Sequence, residues 1–135
     1  LDDPKNVRRT VYGKVSRHEL NRLLRLFDFP DPNISSERRT ETTLPQQALF
    51  TLNSPFVIAR AQTLAALLTK QPDTAAQVRT AYGLVYTRPP TEAELTGAVR
   101  YLSANDSPEA GKAALTRLER FAQALLASNE FYFID

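Results

Sequence analysis

The chain of 135 residues is 42% hydrophobic and 24% charged, with four glycines, which excludes a disordered, collagenous or low-complexity protein. Set against a rule of about 150 residues per domain, the length predicts a single helical domain spanning residues 1–135, large enough to bury about two-thirds of its unfolded surface without a metal or disulfide staple. With no Cys and one His, thiol catalysis, thiolate zinc sites, iron–sulfur ligation and covalent haem attachment are excluded, and the formal charge of +2 is too small for a dedicated nucleic-acid binder.

That charge is uneven. Arg8, Arg9, Lys14, Arg17, Arg22 and Arg25 face only Glu19, so the amino-terminal quarter presents a local basic surface. Leu1 stands first and no Met occurs, so the chain is expected to be the C-terminal fragment of a larger multidomain protein, with any signal peptide outside it. The uncharged run from Thr42 to Ala59 includes Pro45, Gln46, Gln47, Asn53, Ser54 and Pro55, which argues against a membrane span.

No segment alternates with period 2, and several carry apolar residues at helical spacing between capping signals, so the expected fold is all-α. It is a compact bundle of five or six helices, with an irregular loop between the first two and an apolar C-terminal tail. Ser16 and Glu19 predict a capping box opening the first helix, with Leu20, Leu23, Leu24 and Phe27 as its stripe. Asp28 to Asn33, containing Pro30 and Pro32, ends it, and the loop runs to about Thr42.

Thr43 with Gln46 repeats the capping pattern, and Pro45 suits the first turn of a helix from about Leu44 to Leu52 that should bury Ala48, Leu49 and Leu52. Ser54-Pro55 restarts the chain as a longer helix lined by Val57, Ala61, Leu64, Ala65 and Leu68. Asp73 caps a fourth helix with the stripe Val78, Ala81, Tyr82 and Val85. After the rigid connector Arg88-Pro89-Pro90, Thr91 and Glu94 form another capping box, and Leu95, Val99 and Leu102 mark the inner face. Ser107-Pro108 is expected to open the last helix, which turns Leu115, Leu118, Ala122, Leu125 and Leu126 inward and ends near Ser128-Asn129. Phe131 to Ile134 form an apolar run too short for its own helix, whose side chains need a docking surface.

Few residues offer chemistry. His18, placed in the first turn of the first helix, has no second His or Cys to share a metal, so no metal site is expected and an exposed helix-start histidine is the simpler reading. Asp28 and Asp31 bracket Phe29-Pro30 and can serve acid–base work or serve as turn carboxylates; no catalytic residue is assigned. Arg38 and Arg39, in the irregular loop, are either clamps that order it or ligand contacts. Gln46, Gln47 and Asn53 interrupt an apolar helix and must find backbone partners if they face inward. Arg8 and Arg9 complete the candidate binding set as a basic patch for an anionic polymer.

Several blocks carry a family resemblance. They are Phe27-Asp28-Phe29-Pro30-Asp31, Arg38-Arg39-Thr40 with Thr42 to Leu44, Pro45-Gln46-Gln47-Ala48-Leu49, Leu52-Asn53-Ser54-Pro55-Phe56-Val57, Arg88-Pro89-Pro90-Thr91-Glu92 with Glu94, and Ala124 to Phe131. In this order they resemble the carboxyl-terminal part of the planctomycete cytochrome-associated domain of unknown function, found at the C-terminal end of large exported proteins. The chain departs from that pattern at Thr43-Leu44-Pro45, where members often read Asn-Thr-Pro, and at Ile34-Ser35-Ser36, where they often carry a Cys. The resemblance implies an extracytoplasmic setting, periplasmic or cell-surface, connected with polysaccharide breakdown or electron transfer. Haem is expected only in upstream cytochrome-like domains and no cofactor in this segment.

The expected function is a non-catalytic helical module that docks on upstream domains of the same polypeptide. The alternatives are a module binding an anionic polysaccharide or other polyanion through its arginines, and a carboxylate-dependent hydrolase using Asp28 and Asp31. Nucleic acid is not an expected partner.

Overall fold

The computed structural model describes residues 8–16, 18–30, 33, 45–104 and 115–132. Every regular element among them is helical, so the fold is all-α. None of the described helices is long and apolar enough to cross a membrane. The chain divides into two compact units, residues 1–56 and 57–135.

The first unit holds a single 3₁₀ turn at Thr10–Tyr12, then α1 (Arg22–Leu26) and α2 (Pro45–Asn53). Helix α1 starts five residues later than Ser16 predicts, because Asn21 is the cap: its side chain accepts from the Leu23 amide at 2.8 Å. Asn favours a cap over a helix interior, where its side chain competes for the backbone. His18 therefore precedes the helix, exposed in a bend, rather than lying in its first turn. Of the expected stripe, Leu24 alone is fully buried. Asp28 follows the helix at φ 54°, in the left-handed region Asp tolerates, and the Phe29 amide donates back to the Leu24 carbonyl at 3.0 Å.

Helix α2 begins at Pro45 as expected, but with a different inner side. Leu49 and Leu52 are 58% and 52% exposed and Ala48 is exposed too, whereas Thr51 and Ser54 are buried and Gln47 and Phe50 half-buried. Helical spacing permits either stripe. The second is chosen by two contacts to the end of α1: Gln47 Nε2 donates to the Leu26 carbonyl at 3.0 Å, and the Phe50 ring meets Phe27 edge-on at 5.7 Å. The buried Thr51 hydroxyl is satisfied within its own helix, donating to the Ala48 carbonyl at 2.8 Å.

The second unit is built from α3 (Pro55–Leu68) from Val57 onward, α4 (Thr74–Val85), α5 (Glu92–Ser103), α6 (Arg117–Leu126) and the single turn α7 (Asn129–Tyr132). Leu68, Val78, Ala81, Tyr82, Phe121 and Leu125 form its core, with Leu95, Val99 and Leu102 of α5 packed against it. Ala61 and Ala65 of α3 meet Ala122 of α6, and such small side chains let helix backbones approach closely. The caps on α4 and α5 are those the sequence predicts: Asp73 accepts from the Ala76 amide at 2.7 Å, and Thr91 with Glu94 forms a reciprocal box.

Helix α6 departs from expectation. Leu115 precedes it outside any regular element, and Thr116, in extended conformation, makes a capping box with Glu119 that starts the helix at Arg117. The expected start at Ser107-Pro108 lies outside the described residues, and Leu115 and Thr116 are not helical. At the other end, Phe131 and Tyr132 belong to the turn α7 and stay 44% and 38% exposed, while Phe133 and Ile134 lie outside the described residues.

Candidate functional site around Arg88

The densest polar cluster among the described residues lies where α4, α5 and α7 meet, around a residue the sequence offered as part of a connector and of a motif block but not as a site. Tyr82, in the last turn of α4, and Tyr86, its C-cap, pack edge to face at 5.2 Å. The chain leaves α4 through Thr87 at φ 58°, a left-handed conformation that costs a β-branched residue about 1–2 kcal/mol. Arg88 follows. Its guanidinium carbon stands 5.4 Å from the Tyr82 ring centre and 5.6 Å from that of Tyr86.

All five N–H groups of that guanidinium are used. Nη1 and Nη2 donate to the two carboxylate oxygens of Glu94 at 3.0 and 2.8 Å. Nε and Nη2 donate to those of Glu130 at 2.6 and 2.9 Å. Nη1 also donates to the Pro89 carbonyl at 3.1 Å. Two planar forks thus grip one Arg from two edges, the arrangement that gives charge-assisted bonds their directionality.

Glu94 serves twice. It accepts from the Thr91 amide at 2.7 Å as the box residue of α5, and its hydrogen bonds to Arg88 first, then to Thr91, hold its pKa down to about 2. Glu130 is lowered for the same first reason, and Arg88 is raised by both carboxylates. Burial pushes the Tyr82 and Tyr86 hydroxyls up. The Tyr86 hydroxyl donates to Ser128 Oγ at 2.8 Å, and Ser128 in turn donates to the Leu125 carbonyl at 2.8 Å and accepts from the Phe131 amide at 3.3 Å.

This chemistry holds elements together. A carboxylate kept ionised to about pH 2 is a poor general base, and a serine hydroxyl bonded to three protein groups is not poised as a nucleophile. The guanidinium, with every donor engaged, has none left for a ligand while Glu130 is in place.

The structure does not gather the residues singled out from sequence into this cluster. Gln47 bonds Leu26, Asn53 Nδ2 donates to the Leu49 carbonyl of its own helix at 2.8 Å, and Gln46 is exposed. Arg8 and Arg9 are exposed beside the 3₁₀ turn. Arg38, Arg39 and Asp31 lie outside the described residues, and Asp28 occupies the left-handed position after α1. No described group of three or more His, Asp or Glu is placed to hold a metal ion.

A second basic contact ties α5 to α6: Arg117 lies 5.4 Å from the Tyr101 ring centre and donates to the Tyr101 carbonyl at 3.1 Å. The signal for the main cluster was present in the sequence as two separate blocks, Arg88 to Glu94 and Ser128 to Phe131. Nothing local joins them.

The family described as PSD1, protein of unknown function (DUF1553), matches residues 2–102, which include Arg88 and Glu94. No curated protein and no solved structure matches the chain.

Proposed function

The chain belongs to the PSD1 family of proteins of unknown function, and from that premise we propose that it is a non-catalytic helical module that docks on other domains of a longer, exported polypeptide. The observation that carries this reading is the apolar balance of the first unit. Among its described residues Leu24 is the one fully buried hydrophobic side chain, while Val11, Tyr12, Leu49 and Leu52 are each more than half exposed. Large apolar side chains left in water forfeit about 1.5–3 kcal/mol each, so their exposure favours a protein surface that covers them. The saturated Arg88 cluster supports the same reading, because it serves packing rather than turnover. The resemblance of the Phe27–Asp31 and Pro45–Val57 blocks to the planctomycete cytochrome-associated domain supports a setting beside cytochrome-like domains, which would carry any haem.

The test compares the present chain with the full-length gene product by hydroxyl-radical footprinting. Protection of Leu49 and Leu52 in the longer protein is the expected result, and equal labelling in both would overturn the docking reading. Binding of an anionic polysaccharide through Arg8 and Arg9 is the competing outcome. It is recognised by salt-dependent retention of this chain on an anionic glycan column that Arg9→Ala abolishes.

A further inference from the structure

The single turn α7 is held largely by polar contacts. Its two aromatic side chains, Phe131 and Tyr132, remain 44% and 38% exposed and pack on each other at 5.6 Å, so apolar burial supplies only part of its attachment. The rest is polar. Glu130 takes one edge of the Arg88 guanidinium, and Ser128, just before the turn, takes the Tyr86 hydroxyl. Arg88 itself does not depend on α7, since Glu94, the Pro89 carbonyl and the two tyrosine rings still hold it on the α4–α5 side.

We propose that α7 is a strap, fastened by the Arg88–Glu130 fork, that opens independently of the helical core and, when open, frees the Nε edge of Arg88 together with the Phe131–Tyr132 aromatic pair. The two sides of the fastening have different foundations. Arg88 sits against a packed core that includes Val78 and Ala81, both with no exposed surface, whereas the strap is a single turn whose two aromatic rings are each only partly covered. Segments of the second kind open at a fraction of the free energy of global unfolding. Opening leaves behind a guanidinium that is pre-oriented for a carboxylate, with two N–H donors newly available.

The Phe131 amide reports the closed state, because it donates to Ser128 O at 3.2 Å and Ser128 Oγ at 3.3 Å only while the turn is formed. Native-state hydrogen exchange read by NMR on the full chain is the test. In Glu130→Gln the Phe131 amide is expected to exchange about tenfold faster while the Val78 and Tyr82 amides change by less than about twofold. In the unaltered chain, exchange at Phe131 is expected to be nearly independent of added urea, and exchange at Val78 steeply dependent on it, as small and large openings require. Equal acceleration at Phe131 and Val78, or a common urea dependence, would make α7 part of the core's cooperative unit and overturn the proposal. No change at Phe131 in Glu130→Gln would overturn it as well, by showing that the fork is not the fastening.

Discussion

Arg88 and Glu130 are 42 positions apart, yet they share two parallel hydrogen bonds of 2.6 and 2.9 Å. The pair closes a loop that includes all of α5 and α6, and it does so from a residue that leaves α4 through a strained backbone. Thr87 at φ 58° turns the chain so that Arg88 lies against Tyr82 and Tyr86 instead of continuing into solvent. The strain is local and the recovered interactions are several, a pattern that persists only where the surroundings over-determine the conformation.

Replacing Arg88 tests whether the fork geometry matters or only the charge. A lysine ammonium is a point donor and cannot grip two carboxylates along two edges. Arg88→Lys is therefore expected to melt close to Arg88→Ala and clearly below the parent in a thermal scan, whereas Arg100→Ala, on an exposed position of α5, melts with the parent. A lysine variant as stable as the parent would reduce the cluster to simple charge pairing.

The same cluster predicts a direction for acid sensitivity. Glu94 stands at about 2 in the folded chain against an ordinary 4.5, so between those values the unfolded chain binds more protons. The contribution is complete above about pH 4.5 and is lost as the pH falls toward 2. Glu130, lowered for the same reason, acts in the same sense. Melting temperatures measured from about pH 5 downward should fall more steeply for the parent than for Glu94→Gln, and parallel curves would contradict the assignment.

The second unit was largely legible because its signals are short-range. Asp73 and the Thr91–Glu94 box fix helix starts within four residues, and the stripes Val57 to Leu68 and Val78 to Val85 admit one buried side. Where two local signals compete, sequence alone does not choose. Asn21 displaces Ser16 as the cap of α1, and Thr116 with Glu119 caps α6 after a stretch in which Ser107-Pro108 offered an earlier start. In α2 the apolar residues Leu49 and Leu52 point to one side, but a hydrogen bond and an aromatic contact to α1 select the other. Arg88 was legible as a motif residue and not as a centre, because its second carboxylate arrives from 42 positions away.

Gln47 is expected to be the one stability-determining amide of the three in α2. Its Nε2 satisfies the Leu26 carbonyl, one of the last-turn acceptors that α1 cannot pair internally. Gln47→Ala should cost about 1 kcal/mol in denaturant unfolding, the net worth of one such bond. Gln46→Ala and Asn53→Ala, on exposed positions, should stay within about 0.5 kcal/mol of the parent. Equal losses at Gln46 and Gln47 would mean that helix propensity, not the bond to Leu26, governs the site.

Two exposed helical glycines give the opposite prediction. Gly83 in α4 and Gly97 in α5 both have helical backbone, and a Cβ added at either meets nothing within 4 Å. Alanine there restricts the unfolded chain without a clash in the folded one, so Gly83→Ala and Gly97→Ala should each raise the unfolding free energy by about 0.5–1 kcal/mol. Thr87 completes the comparison, because its positive φ is the conformation glycine relieves. Thr87→Gly removes about 1–2 kcal/mol of backbone strain and gives back about 0.5–1 kcal/mol in chain entropy, so a small net gain is expected. It also loses the bond from the Thr87 hydroxyl to the Tyr86 carbonyl at 2.6 Å, which is solvent-exposed and adds little. Denaturant midpoints of the three variants decide the matter: if Thr87→Gly destabilises while the two alanine variants stabilise, the threonine contributes to placing Arg88 beyond its backbone angle.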